Sequence, residues 1–468
     1  LLTPTEEQAW AINRMACEET RAALNASVLG TGKTLMAVEL AKTLGAKTVL
    51  ITAPLGTHKG WKATLERQKF PHPVKFINST NEEFINLKAG VPGAYLVGRE
   101  FFYLSATNSK LRDDGTRART ARWSWSKIPH IDLHIVDESH SAQNQFGKMF
   151  STLRKMHNVG YKLAMSGTPQ GSKFEGIWAT TKWLWPDLVD GSKVRWAAQW
   201  CEQKQVVVGY DKDAGELKRV TQVVGEKRPG AYLASLPCVV RLELETKPYE
   251  LYEARVDLCP VQRQMWDEMA AHSIAWLAER PTVAKLPLEQ RIRLRQMALG
   301  EVSFDDEGAV AFAPDCRSTK IDAALKIQAR HPGEPILFLT DSERFARIAA
   351  PRLGAELFTG RVPKRVRNEL VDRFGVDVPY LVATYQAIAE GTDGLQAHCH
   401  IEVLFNIADS PVLNEQVSGR LNRTGQRADK IVRYTLVARN TADDDHFDRA
   451  VANMDARRSE VDKLHVDL

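Results

Sequence analysis

Two rhythms of apolar and polar positions run through this chain. Short, continuous apolar runs recur at Thr48-Val-Leu-Ile-Thr-Ala, Tyr95-Leu-Val, Leu133-His-Ile-Val and Lys162-Leu-Ala-Met. They return at Pro335-Ile-Leu-Phe-Leu-Thr, Val378-Pro-Tyr-Leu-Val-Ala-Thr, Ile401-Glu-Val-Leu-Phe-Asn and Ile431-Val-Arg-Tyr-Thr-Leu-Val. Unbroken apolar runs of this length predict strands buried on both faces of a parallel sheet. Between them lie stretches of helical period, such as Glu6–Met15 and Thr34–Leu44. Strands alternating with helices imply βαβ units, so the expected fold is α/β, with two doubly wound parallel-sheet domains carrying small helical insertions.

The rhythm breaks where the insertions are expected. Residues 171–240 gather Trp178, Trp183, Trp185, Trp196 and Trp200, then become a Gly/Lys/Asp/Glu segment at 209–230. This reads as a helical appendage whose tryptophans form a small core, followed by an exposed loop or hairpin. Residues 259–300 read as a charged helical insertion, with Arg291, Arg293 and Arg295 on a solvated face or on a phosphate-contacting arm. The expected division is 1–240 for the first domain, 241–440 for the second, and 441–468 for a charged tail that forms one helix packed across the domains.

A length of 468 residues is too great for one core and suits two domains. Hydrophobic content of 44% with 26% charge is ordinary for a globular protein. No apolar run approaches the roughly 18 residues of a membrane span, and the N-terminus lacks the basic and apolar regions of a signal peptide. Six cysteines without a Cys-x-x-Cys pair point to reduced thiols. The expected place is the cytosol of a bacterium or virus-infected host, or a eukaryotic nucleus. His398-Cys399-His400 is not read as a metal site, because adjacent residues point apart on a strand. A net charge of +5 is compatible with phosphate-backbone contacts without requiring them.

Candidate chemistry sits directly after the apolar runs or glycine turns. Gly30-Thr31-Gly32-Lys33-Thr34 can converge backbone N–H groups on a phosphate at a helix start, with Lys33 on the outer phosphates and Thr34 on Mg²⁺. Asp137-Glu138-Ser139-His140 follows a strand; Asp137 can hold the metal and Glu138 can polarise a water. His140 can link that loop to Ser166-Gly167-Thr168-Pro169. Far downstream, Gln416-x-x-Gly-Arg420-x-x-Arg423-x-Gly-Gln426 offers two arginines at i, i+3, on one face if helical. Arginines brought to a γ-phosphate from another domain stabilise transition-state charge. Together the four strings predict a site for ATP and Mg²⁺ split between two domains.

With these residues in place, the chain resembles the superfamily 2 helicases and translocases, most closely their Swi/Snf-like group. Asp137-Glu-Ser-His is similar to that group's Asp-Glu-x-His box, and Arg420-Leu-Asn-Arg-Thr-Gly-Gln to its Arg-x-x-Arg-x-Gly-Gln. Pro54, Trp61 and Glu66 resemble a segment after its first strand, and Val256–Trp266 the start of its second domain. Two strings depart from the group: Ser27-Val28-Leu29 stands where Asp-Glu-Met is usual, and Gly391-Thr-Asp-Gly-Leu-Gln where Gly-Gly-x-Gly-Leu-Asn is common.

The resemblance implies two RecA-like lobes that move along double-stranded or branched DNA by ATP-driven closure. It implies that Gln8 reads adenine, that Gln416 joins the nucleotide site, and that His140, Ser166, Thr168, Gly391 and Asp393 couple hydrolysis to motion. Lys59, Trp61, Thr340, Ser342, Arg344 and Thr384 would line the nucleic-acid track. Two other functions fit the same strings: a strand-separating helicase on branched DNA or RNA, and an ATP-gated clamp with little turnover.

Overall fold

A computed structural model describes residues 1–78, 82–103, 107–111, 117–121, 125, 128, 130–142, 147–171, 174–211, 216–243, 247–277, 280–284, 286–305, 309–389, 394–423, 425–444 and 463–465. The chain divides into two compact units, Leu1–Leu244 and Glu245–Leu468. Each is an α/β domain built on a parallel sheet with helices between its strands.

The sheet of the first unit runs Val239–Val240, Ala22–Asn25, Val159–Met165, Ile131–Asp137, Thr48–Ala53, Gly93–Gly98, Val74–Ile77 from edge to edge. All of its pairings are parallel. Thr48–Ala53 and Gly93–Gly98 are buried throughout, which is why both read as unbroken apolar runs. Ala22–Asn25 has no such signature. Two alanines, a leucine and an asparagine have little β propensity; neighbours on both sides impose the strand.

Register then does the positioning. Met165 pairs with Asn25 on one side and with Asp137 on the other, so three strands end at one level. With neighbouring strands about 4.8 Å apart, the loops after Asn25 and Asp137 start about 10 Å apart, with the loop after Met165 between them. Ligands in such sheets bind beyond these carboxyl ends.

The tryptophans are core, but not the core of a separate subdomain. Trp178, Trp183, Trp185 and Trp196 are buried in the same cluster as the sheet. Trp183 packs edge-on against His134 of the strand Ile131–Asp137, and Trp178 against Phe150. The following charged segment forms a hairpin, Cys201–Asp211 with Glu216–Glu226.

The second unit orders its sheet Glu356–Phe358, Tyr380–Thr384, Ile336–Thr340, Ile401–Leu404, Ile431–Ala438, Tyr249–Val256, Lys463–His465. These pairings are also parallel. The insertion is two helices, Pro260–His272 and Pro287–Leu299, flanking a short hairpin. Its arginines form no free arm: Arg291 and Arg295 pair with Asp409, and Arg295 also with Asp341. Most of the tail expected as a helix lies outside the described residues; Lys463–His465 is a strand beside Tyr249–Val256.

Candidate active site

In the first unit the glycine loop 30–32 is closed on itself. Gly30 and Gly32 take φ of 91° and 80°, a region where side chains are strained. A Cβ at Gly32 would lie 2.7 Å from Gln8 Nε2, so another residue here would displace the Gln8 amide in addition to straining the backbone. Gln8 holds both neighbours: its Oε1 accepts the Thr5 N–H, capping the helix Glu6–Ala16, and its Nε2 donates to the Thr31 carbonyl at 2.9 Å. Thr31 Oγ1 donates to the Val28 carbonyl. Lys33 and Thr34 open the helix Lys33–Thr43, where N–H groups of the first turn have no helical acceptor. Lys33 Nζ folds back onto the carbonyls of Ser27 (2.8 Å) and Val28 (2.9 Å).

Across the sheet ends stands the acid pair. Asp137 is nearly buried; its Oδ2 accepts the Trp61 indole N–H at 3.0 Å and its Oδ1 accepts the Glu138 N–H at 3.0 Å. Burial, with the charge of Glu138 adding to it, pushes this carboxyl up to about 6; the Trp61 hydrogen bond and Lys33 pull the other way. The carboxylate is thus oriented but short of positive charge. Two hard oxygen donors, Asp137 and the Thr34 hydroxyl, fit Mg²⁺ chemically, and a divalent cation supplies the missing charge.

Glu138 has φ of 49°, a left-handed conformation costing about 1–2 kcal/mol for a residue with a Cβ. The turn aims its carboxylate sideways along the sheet ends: Glu138 Oε2 lies 3.3 Å from His140 Nδ1, which is 3.0 Å from Ser166 Oγ. Ser166 Oγ also accepts the Thr168 N–H. A Cβ added at Gly167 would stand 3.7 Å from Lys33 Nζ, so this loop passes alongside the lysine. Glu138, His140, Ser166 and Thr168 are one chain of contacts ending beside the phosphate loop.

Trp61 corrects an expectation. The ring is 1% exposed and bonded to Asp137, so it has no face for nucleic acid and belongs to the carboxylate's support. Lys59, on the same helix His58–Arg67, is exposed. In the second unit Thr340 and Thr384 pair in register at adjacent strand ends, and both are buried. The Thr340 hydroxyl accepts the Ser342 N–H, and the Ser342 hydroxyl caps the helix Glu343–Arg352. Thr340 shapes a turn, and neither threonine presents a surface. Arg344 is exposed and pairs with Asp305.

The helix Pro411–Leu421 carries half-buried Gln416 and buried Arg420. Arg420 donates to the Ala389 carbonyl. The helix ends at Leu421, with Asn422 as its cap, so Arg423 lies beyond it and the two arginines do not share a helical face. Gln426 Nε2 donates to the carbonyls of Cys399 and Leu421, fixing the turn that follows. Gly391 and Asp393 lie outside the described residues. Sequence reading missed Asn422 and Thr180, whose hydroxyl bonds the Ser139 carbonyl; a lone amide or hydroxyl has no pattern to find it by.

No family model matches the chain. A probable chromatin-remodeling complex ATPase chain of Oryza sativa subsp. japonica is 24% identical over 175 residues, 36% of this chain. The match spans 14% of that protein's length. Among solved structures, the Sulfolobus solfataricus SWI2/SNF2 ATPase core in complex with dsDNA aligns over 97% of this chain and 92% of its own, at 16% identity and a TM-score of 0.41. No helix among the described residues is long and apolar enough to cross a membrane. No group of three or more His, Cys, Asp or Glu side chains placed to hold a metal ion occurs among them either.

Proposed function

We propose that the chain is a nucleic-acid-stimulated ATPase of Swi/Snf type that moves along double-stranded or branched DNA. The observation that carries this is the contact chain from Glu138 through His140 to Ser166, which ends beside the lysine of a glycine phosphate loop. A plain phosphate-binding protein needs the loop alone; a relay leading away from the acid residue suits an enzyme that links hydrolysis to movement. The four strings and the similarity to a chromatin-remodeling ATPase chain support the same reading.

In this reading the N–H groups of Gly30, Thr31, Gly32 and Lys33 cradle the phosphates. Lys33 leaves its two carbonyl partners for the β/γ oxygens. Gln8, with a second N–H and a second acceptor lone pair still to offer, contacts adenine. Thr34 and Asp137 hold Mg²⁺, which neutralises phosphate charge as it develops. Glu138 orients the attacking water and takes its proton. Gln416, Arg420 and Arg423 complete the site, and the two arginines stabilise charge on the transferred phosphoryl group. His140, Ser166, Thr168, Gly391 and Asp393 relay the state of the phosphates. Lys59, Ser342 and Arg344 face the nucleic acid.

The test is phosphate release measured with duplex DNA, single-stranded DNA and RNA in turn, beside triplex-displacement and tailed-duplex unwinding assays. Stimulation by duplex with triplex displacement and no unwinding is expected. An unstimulated chain, or Lys33→Ala with full turnover, overturns the assignment.

A further inference from the structure

Two charged side chains lie inside the sheet of the second unit. Glu402 and Arg433 pair in register on the adjacent strands Ile401–Leu404 and Ile431–Ala438, which are buried along their whole length. Each is the one charged residue of its strand. The Glu402 side chain is 0% exposed and that of Arg433 9%. Arg433 Nε donates to Glu402 Oε1 at 2.6 Å, and Nη2 pairs with the same oxygen. Burying two charges is costly, and an apolar pair of similar volume is often as stable or more so. Stability alone therefore does not call for this pair.

The pair reaches one helix of the proposed nucleotide site. Arg433 Nη2 also donates to the Ser418 hydroxyl at 2.7 Å, and that hydroxyl donates to the Asn414 carbonyl at 2.8 Å. Tyr249 lies against the guanidinium, 4.7 Å from it to the ring centroid, and its hydroxyl donates to the Ser418 carbonyl at 3.0 Å. Both the side chain and the carbonyl of Ser418 are thus held from the sheet. Ser418 belongs to the helix Pro411–Leu421, midway between Gln416 and Arg420. Those two are four residues apart and share a side, and Ser418 stands about 160° round the helix from each. The sheet grips the helix on one side, and the residues assigned to the nucleotide lie on the other. Val417 and Leu421 of the same helix pack in the apolar core. Apolar burial is non-directional, so it holds the helix down without fixing its rotation. The two bonds to Ser418 are directional and do fix it.

We propose that Glu402 and Arg433 are positioning residues, which act through Ser418 to set the rotation of this helix and so the place of Gln416 and Arg420. The inference rests on the ATPase reading above. Glu402 balances the buried charge and orients the guanidinium. The rigid planar fork then offers its N–H groups to the carboxylate and the hydroxyl together, a geometry that the point charge of a lysine lacks.

The experiment compares Ser418→Ala, the double variant Glu402→Leu with Arg433→Met, Arg420→Ala, and Ser418→Ala combined with Arg420→Ala. The unmodified chain and Lys33→Ala are the controls. Fluorescent-nucleotide affinity, melting temperature and kcat for duplex-stimulated ATP hydrolysis are measured on each. Ser418→Ala and the apolar double variant should each lose about tenfold in kcat, less than the roughly 10²-fold that a 1 Å misplacement can cost. Nucleotide affinity and melting temperature should stay near those of the unmodified chain, the latter because an apolar pair replaces the ionic one without leaving a charge unpaired. Added to Arg420→Ala, Ser418→Ala should change kcat by less than about twofold, because the group it positions is already gone. A kcat within twofold of the unmodified chain in either variant would overturn the proposal. So would a loss of kcat seen only together with lower affinity and melting temperature, or the same tenfold loss in the Arg420→Ala background. If the apolar double variant fails to fold, Ser418→Ala and its combination with Arg420→Ala decide the matter. An unmodified chain that does not hydrolyse ATP, or full turnover in Lys33→Ala or Arg420→Ala, instead overturns the ATPase reading.

Discussion

The acid and phosphate-loop end of the first unit and the arginine segment of the second are organised in opposite ways. In the first, the acid pair is held by side chains on side chains: Trp61 on Asp137, and His140 between Glu138 and Ser166. In the second, the arginine segment is held largely through main-chain groups: Arg420 on a carbonyl, Asn422 on both polar groups of Lys247, Gln426 on two carbonyls. A side-chain network fixes the geometry of reacting groups. Main-chain anchorage fixes a segment while leaving its role dependent on where its domain goes. The first region should therefore govern binding and chemistry, and the second should act on the rate alone.

The largest effects probe that division. Arg420→Ala should lower kcat by about 10³-fold with nucleotide affinity retained, as removal of a charge-stabilising arginine does. A matching loss of affinity in equilibrium nucleotide binding would erase the distinction between the regions. Glu138→Gln should cost about 10²-fold to 10³-fold in single-turnover phosphate release while the nucleotide still binds.

Smaller effects test the network's internal links. His140→Ala should leave hydrolysis without DNA nearly intact but reduce the stimulation by duplex about tenfold, a coupling loss of ordinary size. Trp61→Phe removes the indole donor from Asp137 while keeping most of the ring. It should weaken Mg²⁺-dependent ATP turnover about tenfold, the low end of the 1.5–3 kcal/mol that a hydrogen bond to a charged group contributes. Duplex affinity in a salt titration should not change; if it falls, Trp61 belongs to the track after all.

The smallest effect concerns stability. His134 lies inside the sheet, bonded to Thr52, and burial followed by the charge of Lys162 pulls its pKa from 6.5 down to about 3. Above pH 6.5 the ring is neutral whether the chain is folded or not. Below that, the unfolded chain takes up the proton first, so stability falls as pH drops from 6.5 toward 3. His134→Leu should flatten that part of the urea-denaturation profile. An unchanged slope would show that other groups set the acid limit.

Legibility followed burial. The fully buried strands Thr48–Ala53, Ile336–Thr340 and Ile401–Leu404 read as apolar runs, because a two-sided environment favours apolar side chains and admits a charge such as Glu402 only with a partner, here Arg433. Tyr249–Val256 was hidden by Glu250, Glu253 and Arg255, which its partly exposed pattern tolerates. The reading of the tryptophans as core came from composition, but their membership of the sheet's own core depended on contacts such as Trp183 with His134. The site strings were visible as strings. That Arg423 falls beyond its helix, or that Trp61 turns inward, was not, because helix ends and ring orientation answer to neighbours distant in sequence.

The sequence by itself determined the α/β alternation, the glycines where backbone φ turns positive, and the residue types that can bind phosphate, metal and water. Those are local properties of side chain and backbone. Only the tertiary structure decided that Asn25, Met165 and Asp137 end at one level, that Trp61 reaches Asp137, and that His140 meets Ser166. Such contacts join residues tens to hundreds of positions apart, and strand register, which no local pattern encodes, places them within a hydrogen bond.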